Sequence, residues 1–347
     1  MNWIERKILG FFVKTKGIFS APLFAGKGLI FMLHRVLPEE DRNQYTLNRD
    51  LAITPDKLEE FILHFKQKGY TFLSLDEVTA CLNNTTKLHQ KFVCLTLDDG
   101  YRDNLIHALP MLRKHQVPAT IYITNCLPNG TGILWWYLFE EHAKTANTVT
   151  FQSSLGTKDY HWASTEDAHA QFGAVSETIK AIPSNELSSV LMGSFGKTAK
   201  DFEVLCRSVS LSWEEINTLS QDPLITIGAH TMNHISTKQQ TAECVEYEMM
   251  ASKKEIEKHI GKEVKHFAYP YGGGFDVSQR DVQLAEKVGF ITSTLNQPGN
   301  IFKINRKNLH ALARMPLGNT TDSTRLNYYL NGIYHYSANG CKKQKYT

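Results

Sequence analysis

Four polar side chains, in two groups, have the types needed for hydrolysis at a metal ion. Asp98 and Asp99 directly follow the apolar segment 93–97, and His230 and His234 lie four positions apart after another apolar segment. Two imidazoles and a carboxylate are a common ligand set for a catalytic divalent ion, and a further carboxylate can serve as a general base. These residues therefore predict a hydrolase that activates water at a divalent ion.

A glycine after the two aspartates explains how both can reach one site. Neighbouring side chains in a strand point to opposite faces, so Asp98 and Asp99 can converge only where the strand ends. Gly100 supplies that break. Asp-Asp-Gly alone is a common turn sequence, and a single histidine is more often structural than a ligand. The presence of both groups at the ends of strands in one sheet favours the catalytic interpretation.

Composition argues against some partners and compartments. The chain has 347 residues, and its 38 Lys and Arg against 35 Asp and Glu give a formal charge of +3, so no nucleic-acid partner is expected. The six cysteines show no C-x-x-C spacing, and Cys94 lies inside an apolar segment, where a thiol behaves as a small apolar group. A disulfide framework is therefore not expected, which favours a reducing, cytoplasmic location.

Helices and strands alternate along most of the chain. Helical spacing predicts helices within 54–69, 103–115 and 242–260. Short apolar segments predict strands at 28–33, 70–73, 93–97, 119–123, 224–227, 266–269 and 290–294. This pattern is typical of a parallel sheet covered by helices, either a barrel or a doubly wound sheet, and the number of strands favours a distorted (β/α) barrel. The site should then lie at the C-terminal ends of the strands.

One segment interrupts the alternation and predicts the domain organisation. The expected parts are a helical lead at 1–27, the barrel at 28–335, a mainly helical insertion at 125–210 and a basic tail at 336–347. The insertion begins with an aromatic segment that contains Trp135 and Trp136. These rings either pack against the barrel or overhang the site, where they would stack on sugar rings.

The first 27 residues allow two interpretations. The apolar segment 8–13 is too short for a signal peptide or a spanning helix, so no export signal is expected. The segment can form a first helix that docks on the domain. Alternatively, it forms an amphipathic helix on the inner membrane surface, with the basic residues Arg6, Lys7, Lys14, Lys16 and Lys27.

Three motifs resemble those of the polysaccharide deacetylase family, the NodB-homology domain of carbohydrate esterase family four. The first family motif, T-F-D-D-G, is similar to Thr-Leu-Asp-Asp-Gly at 96–100, and the second, H-[ST]-x-x-H, is similar to His-Thr-Met-Asn-His at 230–234. The third, R-x-P-Y, resembles Ala-Tyr-Pro-Tyr at 268–271 in altered form. The resemblance covers roughly residues 28–318 and implies a distorted (β/α) barrel of the polysaccharide deacetylase type.

The resemblance also implies residue roles. Asp98 would be the general base, and Asp99, His230 and His234 would bind a divalent ion, with zinc as the expected metal. The ion would polarise the amide carbonyl while Asp98 removes a proton from water, and an acid would protonate the departing amine. The substrate-binding candidates are Gly100, Tyr269, Pro270, Tyr271, His34 and Trp135.

The sequence departs from the family motifs at two positions, which concern the arginine that orients the base and the catalytic acid. The family arginine that orients the base is replaced by Ala268, and Arg314, at the end of a late apolar segment, is the candidate substitute. An alternative is that Arg314 pairs with a surface acid. The last family motif, L-x-H, is also altered, so His310 and His34 are the candidates for the catalytic acid. If neither serves, metal-bound water or a substrate group must supply the proton.

The expected function is a metal-dependent N-deacetylase acting on an N-acetylated carbohydrate. Because no export signal is expected, a cytoplasmic, lipid-linked or nucleotide-linked precursor of a surface glycan is the favoured substrate. One alternative is a non-catalytic glycan-binding protein on the same scaffold, motivated by the missing arginine. Another is a hydrolase of a different bond, such as an O-acetyl esterase.

Overall fold

The computed structural model describes residues 3–83, 85, 91–343 and 346. The strands are β1 Gly28–Leu33, β2 Arg35–Val36, β3 Ala52–Ile53, β4 Thr71–Phe72, β5 Phe92–Leu97, β6 Ala119–Ile123, β7 Thr148–Ser153, β8 Gly156–His161, β9 Ile225–Ala229, β10 His266–Ala268, β11 Thr292–Thr294 and β12 Met315–Pro316. The helices are α1 Trp3–Lys14, α2 Ala21–Phe24, α3 Glu39–Arg42, α4 Pro55–Gln67, α5 Leu75–Leu82, α6 Leu109–His115, α7 Cys126–Asn129, α8 Trp135–Thr145, α9 Thr165–Ala181, α10 Ser184–Phe195, α11 Ala199–Val209, α12 Trp213–Ser220, α13 Ala242–Ile260, α14 Gln279–Lys287, α15 Ser323–Leu330 and α16 Ile333–Asn339.

The central sheet has eight strands, and every pair within it is parallel. Its order is β11-β10-β9-β6-β5-β1-β12, with β4 paired to β5. Helices surround this curled sheet, which confirms the predicted (β/α) barrel of the polysaccharide deacetylase type. Parallel strands bring their C-terminal ends to one edge, so the groups after β5 and β9 meet there.

Local sequence signals account for the helix ends. The Thr54 hydroxyl accepts a hydrogen bond from the backbone N–H of Lys57 at the start of α4, and Pro55 occupies its first turn. Helix α13 is capped by Thr241 and ends at Gly261, whose φ of +67° favours glycine. The predicted bounds of α13, at 242–260, agree with the observed helix.

A late segment closes the gap between the two edges of the sheet. Leu312 forms a parallel bridge with Thr294 in β11, and three residues later Met315 pairs with Phe31 in β1. The segment therefore spans from one edge strand to the other and completes the barrel. Arg314 lies between these two contacts, which places it at the barrel mouth.

Side-chain alternation divides the core into an inner and an outer cluster. In β5, Phe92 and Cys94 belong to a cluster that fills the barrel together with Tyr122 and Ala268. The alternate residues, including Leu95, join the larger cluster between the sheet and the helices. Asp98, which follows β5 and continues this inward-facing series, therefore faces the mouth of the barrel.

The segment between β6 and β9 leaves the sheet and forms its own apolar cluster with helices α7 to α11. It also contains an antiparallel hairpin, β7 paired with β8. The expectation of a mainly helical insertion did not include this hairpin. Only alternate residues of β7 are buried and β8 is almost entirely exposed, so neither strand has the continuous apolar sequence of the central strands.

The two ends of the chain pack together. Phe12 in α1 and Phe24 in α2 contact the buried Tyr336 of α16, with ring centroids 5.2 and 5.1 Å apart. The predicted boundary at 336 is therefore wrong, because it cuts α16, which continues to Asn339. Lys342 and Lys343 are exposed, as expected for a basic tail. Residues 344, 345 and 347 lie outside the described residues.

Candidate active site

Asp98 and Asp99 lie side by side at the end of β5, and both are almost fully buried. Asp98 continues the inward-facing series of the strand. Regular alternation would turn Asp99 towards the helices, but its φ of +73°, followed by +77° at Gly100, changes the direction of the chain. Both carboxylates therefore line the same cavity. A left-handed conformation at a non-glycine residue is costly, by about 1–3 kcal/mol, and such residues concentrate at functional sites.

Arg314 forms a bidentate ion pair with Asp98. Its two terminal nitrogens donate to the two carboxylate oxygens at 2.6 and 2.7 Å, and Nε donates to the Leu295 carbonyl at 3.1 Å. Burial would raise the pKa of Asp98, but Arg314, with a smaller contribution from His230, outweighs it and holds that pKa below the usual carboxyl range. Asp98 is therefore an ionised carboxylate with a fixed orientation.

Asp99, His230 and His234 bring one ligand atom each into a cluster no wider than 4.8 Å. The Nε2 atoms of His230 and His234 lie 3.5 and 3.2 Å from Oδ1 of Asp99. Within the described residues, no other group of three histidine, cysteine, aspartate or glutamate side chains forms such a cluster. The structure therefore brings together the three residues that the sequence predicts as metal ligands.

The surroundings orient both imidazoles. Nδ1 of His230 lies 2.7 Å from the Ala268 carbonyl, so this nitrogen carries the proton and Nε2 is left to act as a ligand. Glu248 of α13 accepts hydrogen bonds from the backbone and side-chain N–H groups of Asn233, at 2.9 and 2.6 Å. These bonds anchor the loop in which His234 has a φ of +53°.

The chemistry of this donor set fits a divalent ion. Oδ1 of Asp99 is buried and has no hydrogen-bond partner among the described residues, although it faces two imidazole nitrogens. Burial lowers the pKa of His230 to about 4, so the ring is neutral at physiological pH, as a ligand must be. One carboxylate and two neutral imidazoles suit zinc and leave coordination positions open for water or substrate.

A cavity of about 310 Å³ opens above these residues. Its floor holds Asp98, Asp99 and the two histidines, and His34, after β1, lies on its wall. The insertion and the segment after β2 supply much of the wall with apolar and polar side chains, namely Leu47, Asn48, Asp50, Leu51, Trp135, Trp136, Phe172 and Ser176. A pocket of this size and character suits a small polar ligand with apolar faces.

The insertion is tied directly to the third motif. Nε1 of Trp135 donates a hydrogen bond to the Tyr271 hydroxyl at 3.0 Å, and the Trp135 ring stacks on Phe172 with centroids 5.2 Å apart. Tyr271 in turn packs its ring edge against His234 at 4.7 Å. The aromatic residues of the insertion therefore pack against the barrel and also border the cavity.

The structure contradicts the placement of His310 and Tyr269 at the site. Nε2 of His310 lies 2.8 Å from the Phe290 carbonyl, which precedes β11, so this ring lies at the opposite end of that strand from the cavity. Tyr269 is fully buried in the outer cluster, and its hydroxyl donates to the His310 carbonyl at 2.9 Å. Strand alternation explains why Tyr269 does not reach the cavity. Ala268 faces the inside of the barrel, so the next residue, Tyr269, must face the helices.

Gly100 and Pro270 do not line the cavity either. A Cβ at Gly100 would lie 2.8 Å from the side chain of Ile123, so this glycine permits a close turn rather than a substrate contact. Pro270 is buried, and its carbonyl accepts a hydrogen bond from the Gly272 backbone at 2.6 Å. Of the substrate-binding candidates, Tyr271, His34 and Trp135 are on the cavity wall.

Some cavity residues were not predicted from the sequence. Asn48 and Asp50 belong to the short 3-10 helix Asn48–Leu51, which has no sequence signal of its own. Asn48 is held in place by hydrogen bonds from its Nδ2 to the Trp136 carbonyl and to Glu140. Trp136, which the sequence offered with Trp135 as a ring overhanging the site, has its ring 5.3 Å from that of His234.

Comparison with known families shows where this chain belongs. The family model described as polysaccharide deacetylase matches residues 85–292, more than half of the chain. The chain therefore belongs to the polysaccharide deacetylase family, whose members are metalloenzymes. A Bacillus subtilis protein named "Putative polysaccharide deacetylase YxkH" is 39% identical over 67 residues. That match spans 18% of this chain and 24% of the relative, so the chain covers about a quarter of its length.

Solved structures share the fold at low sequence identity. The Streptococcus pyogenes deacetylase PplD, solved with acetate, superposes with a TM-score of 0.57 at 19% identity and covers 87% of this chain and 97% of its own. IcaB from Ammonifex degensii gives 0.55 at 17% identity, with 88% and 97% covered. A de-N-acetylase from Aggregatibacter actinomycetemcomitans gives 0.52 at 15% identity, with 87% and 99% covered.

Proposed function

We propose that this protein is a metal-dependent hydrolase that removes the acetyl group from an N-acetylated carbohydrate. The observation that carries the proposal is the bidentate pair between Arg314 and Asp98, 2.6 and 2.7 Å long, beside the cluster of Asp99, His230 and His234. An ionised carboxylate next to a ligand set for a divalent ion is the combination that amide hydrolysis by water requires.

Different residues of this chain have different roles in the proposed reaction. Asp99, His230 and His234 would hold a divalent ion, most suitably zinc, which supplies Lewis acidity at the acyl carbonyl and acidifies water. Asp98 accepts the proton of the attacking water, and Arg314 keeps the carboxylate ionised and aligned. His34 on the cavity wall protonates the departing amine, so that acetate and a free amino sugar are released.

The cavity wall supports a carbohydrate as the substrate. Trp135 and Trp136 present aromatic rings suited to the apolar faces of a sugar, and Asn48 and Asp50 add polar groups that hydrogen-bond its hydroxyls. The buried thiols of Cys94, Cys126 and Cys206, none of them in a disulfide, fit a reducing compartment. A cytoplasmic precursor of a surface glycan is therefore the substrate we favour.

A substrate panel tests the proposal. Metal-loaded protein is incubated with N-acetylhexosamines, their oligomers and lipid-linked or nucleotide-linked forms, and released acetate and free amine are measured together. Stoichiometric acetate and amine are the expected products. The Asp98→Asn variant should still bind the metal ion but lose turnover.

Two other results would point to the alternative functions. Release of acetate from O-acetylated but not N-acetylated sugars would make the protein an esterase and contradict the assignment of the scissile bond. Saturable binding of an N-acetylated sugar without turnover, by protein of verified metal content, would identify a non-catalytic glycan-binding protein.

A further inference from the structure

The N-terminal segment presents an apolar and basic surface that the proposed catalysis does not use. Of the seventeen large apolar side chains exposed among the described residues, eight lie within residues 3–23. They are Trp3, Ile4, Ile8, Phe11, Val13, Ile18, Phe19 and Leu23. We infer that this surface, called the N-terminal face below, docks on a bilayer that contains anionic phospholipids.

Helix α1 has two different apolar sides. Its inner side holds Phe12, which is buried against α2 and α16. Trp3, Ile4, Ile8 and Phe11 fall within an arc of about 140° at 100° per residue, beside the inner side. Packing on the domain therefore does not account for them, because their side chains are exposed although the helix is docked.

The exposed apolar surface continues beyond α1. The ring of Phe11 contacts that of Phe19 with centroids 5.2 Å apart, which joins the helix to the turn that follows it. Ile18, in the same turn, is 71% exposed. An amphipathic helix with a neighbouring apolar turn matches the geometry of segments that insert into the boundary between headgroups and acyl chains.

The charges around this surface complement anionic headgroups. Residues 1–27 contain five basic residues and a single acidic one, Glu5. A groove of about 660 Å³ beside the segment is lined by Lys16, Lys68 and Lys91, together with Val13 and Tyr70, and by no acidic residue among those described. Three ammonium groups around one groove favour phosphate-bearing headgroups, and about 1 kcal/mol per basic residue is the usual gain near such a surface.

The groove lies at the end of the barrel opposite the cavity. Tyr70 precedes β4 and Lys91 precedes β5, so the groove borders the N-terminal ends of the strands. The cavity borders their C-terminal ends. No helix within the described residues is both long enough and apolar enough to span a bilayer, and docking at the surface requires none.

Vesicle flotation with the full chain tests this inference. The protein should float with vesicles of phosphatidylcholine mixed with phosphatidylglycerol, bind far less to phosphatidylcholine alone, and be released by salt. The double variant Ile18→Asp/Phe19→Asp should bind at least about tenfold more weakly. The triple variant Lys16→Gln/Lys68→Gln/Lys91→Gln should lose about a hundredfold, or about fivefold per charge.

Leu155→Asp is the matched control, because Leu155 is as exposed as the residues of the N-terminal face but lies in the β7–β8 hairpin. It should leave vesicle binding unchanged, and far-UV circular dichroism should verify that every variant folds. Equal binding to both vesicle types, or no binding by folded wild type, overturns the inference. A dimer that the Ile18→Asp/Phe19→Asp variant dissociates would also overturn it, since a second copy would then cover this face.

Discussion

Arg314 donates two hydrogen bonds to Asp98 across 216 positions of sequence. The guanidinium also donates to the Thr96 hydroxyl at 3.1 Å and lies over the Tyr122 ring at 5.7 Å. The closing segment of the barrel thus supplies the cation that the third motif lacks. Arg314, just before β12, lies next to the carboxylate that we propose as the base, where the resemblance implies an arginine at position 268.

We expect the substitution Arg314→Met to shift the pH profile of turnover. Without the guanidinium, burial raises the pKa of Asp98 unopposed. A general base must be deprotonated, so activity falls as the pH drops through that pKa, and the acidic limb of kcat/KM should move to higher pH. Arg314→Lys keeps the charge but loses the bidentate geometry, and should shift the limb less. Profiles with superimposable acidic limbs would show that Arg314 does not act through Asp98.

The substitution Asp98→Asn should remove the base without removing the metal ligands. Turnover should fall by about 10²–10⁴, the usual contribution of a general base, while metal content stays at the wild-type level. Acetate release and elemental analysis of the same preparation measure both. Asp159→Asn, on the exposed hairpin, is the control and should retain activity. Near-wild-type turnover by folded Asp98→Asn would exclude this carboxylate as the base.

Metal removal should abolish turnover reversibly. Chelation should inactivate the protein, and added zinc should restore activity and raise the melting temperature, because an ion that binds only the folded state adds about 2.7 kcal/mol at a hundred times its dissociation constant. His234→Ala should lose both the ion and the thermal shift. His259→Ala, whose ring stacks on Trp213 away from the cavity, should retain both. A zinc-dependent thermal shift that survives in His234→Ala would place the ion elsewhere.

A pair of histidine variants identifies the catalytic acid. His34 borders the cavity, whereas His310 is bonded to a backbone carbonyl at the other end of β11. His34→Gln should therefore lose about 10²-fold or more in kcat, while His310→Gln should keep the wild-type kcat. Steady-state kinetics across the pH range separate the two. Loss of kcat in His310→Gln but not in His34→Gln would instead identify His310 as the acid.

Trp135 should contribute to substrate binding through its position. Trp135→Phe keeps an aromatic ring against Phe172 but loses the hydrogen bond to Tyr271, so KM should rise about fivefold, the value of one hydrogen bond, with little change in kcat. Trp162→Phe is a matched control, since its indole also donates one hydrogen bond, to the Ala146 carbonyl, within the insertion. Equal effects of the two variants on KM would indicate loss of insertion stability instead.

The sequence was sufficient to predict the barrel and the carboxylates, imidazoles and guanidinium at its mouth. Strands β1 and β6 have the predicted bounds, because fully buried parallel strands are short, continuous apolar segments. Asp98 and His230 could be brought together from sequence because all C-terminal strand ends share one edge. Arg314 could be proposed because it ends an apolar segment late in the chain.

Other parts of the site depend on contacts that a sequence does not encode locally. The 3-10 turn Leu309–Ala311 determines which way His310 points, and similarity to a short motif contains no information about that turn. The strained φ of Asp99 likewise has no local signal, since the tertiary contacts around it sustain that conformation. Asn48 reaches the cavity only because Glu140, 92 positions away, holds it there.

The lysine groove and the cavity lie at opposite ends of the strands, and this separation sets how far the cavity would stand from a membrane surface. Strand β1 alone has six residues, and at ~3.3 Å per residue it separates the two by about 20 Å. A molecule resting on lipid through its N-terminal face would hold its cavity well above the headgroups. Such a molecule would serve glycans whose acetylated unit extends several sugars out from an anchor, and a single sugar attached directly to a lipid phosphate would stay below it.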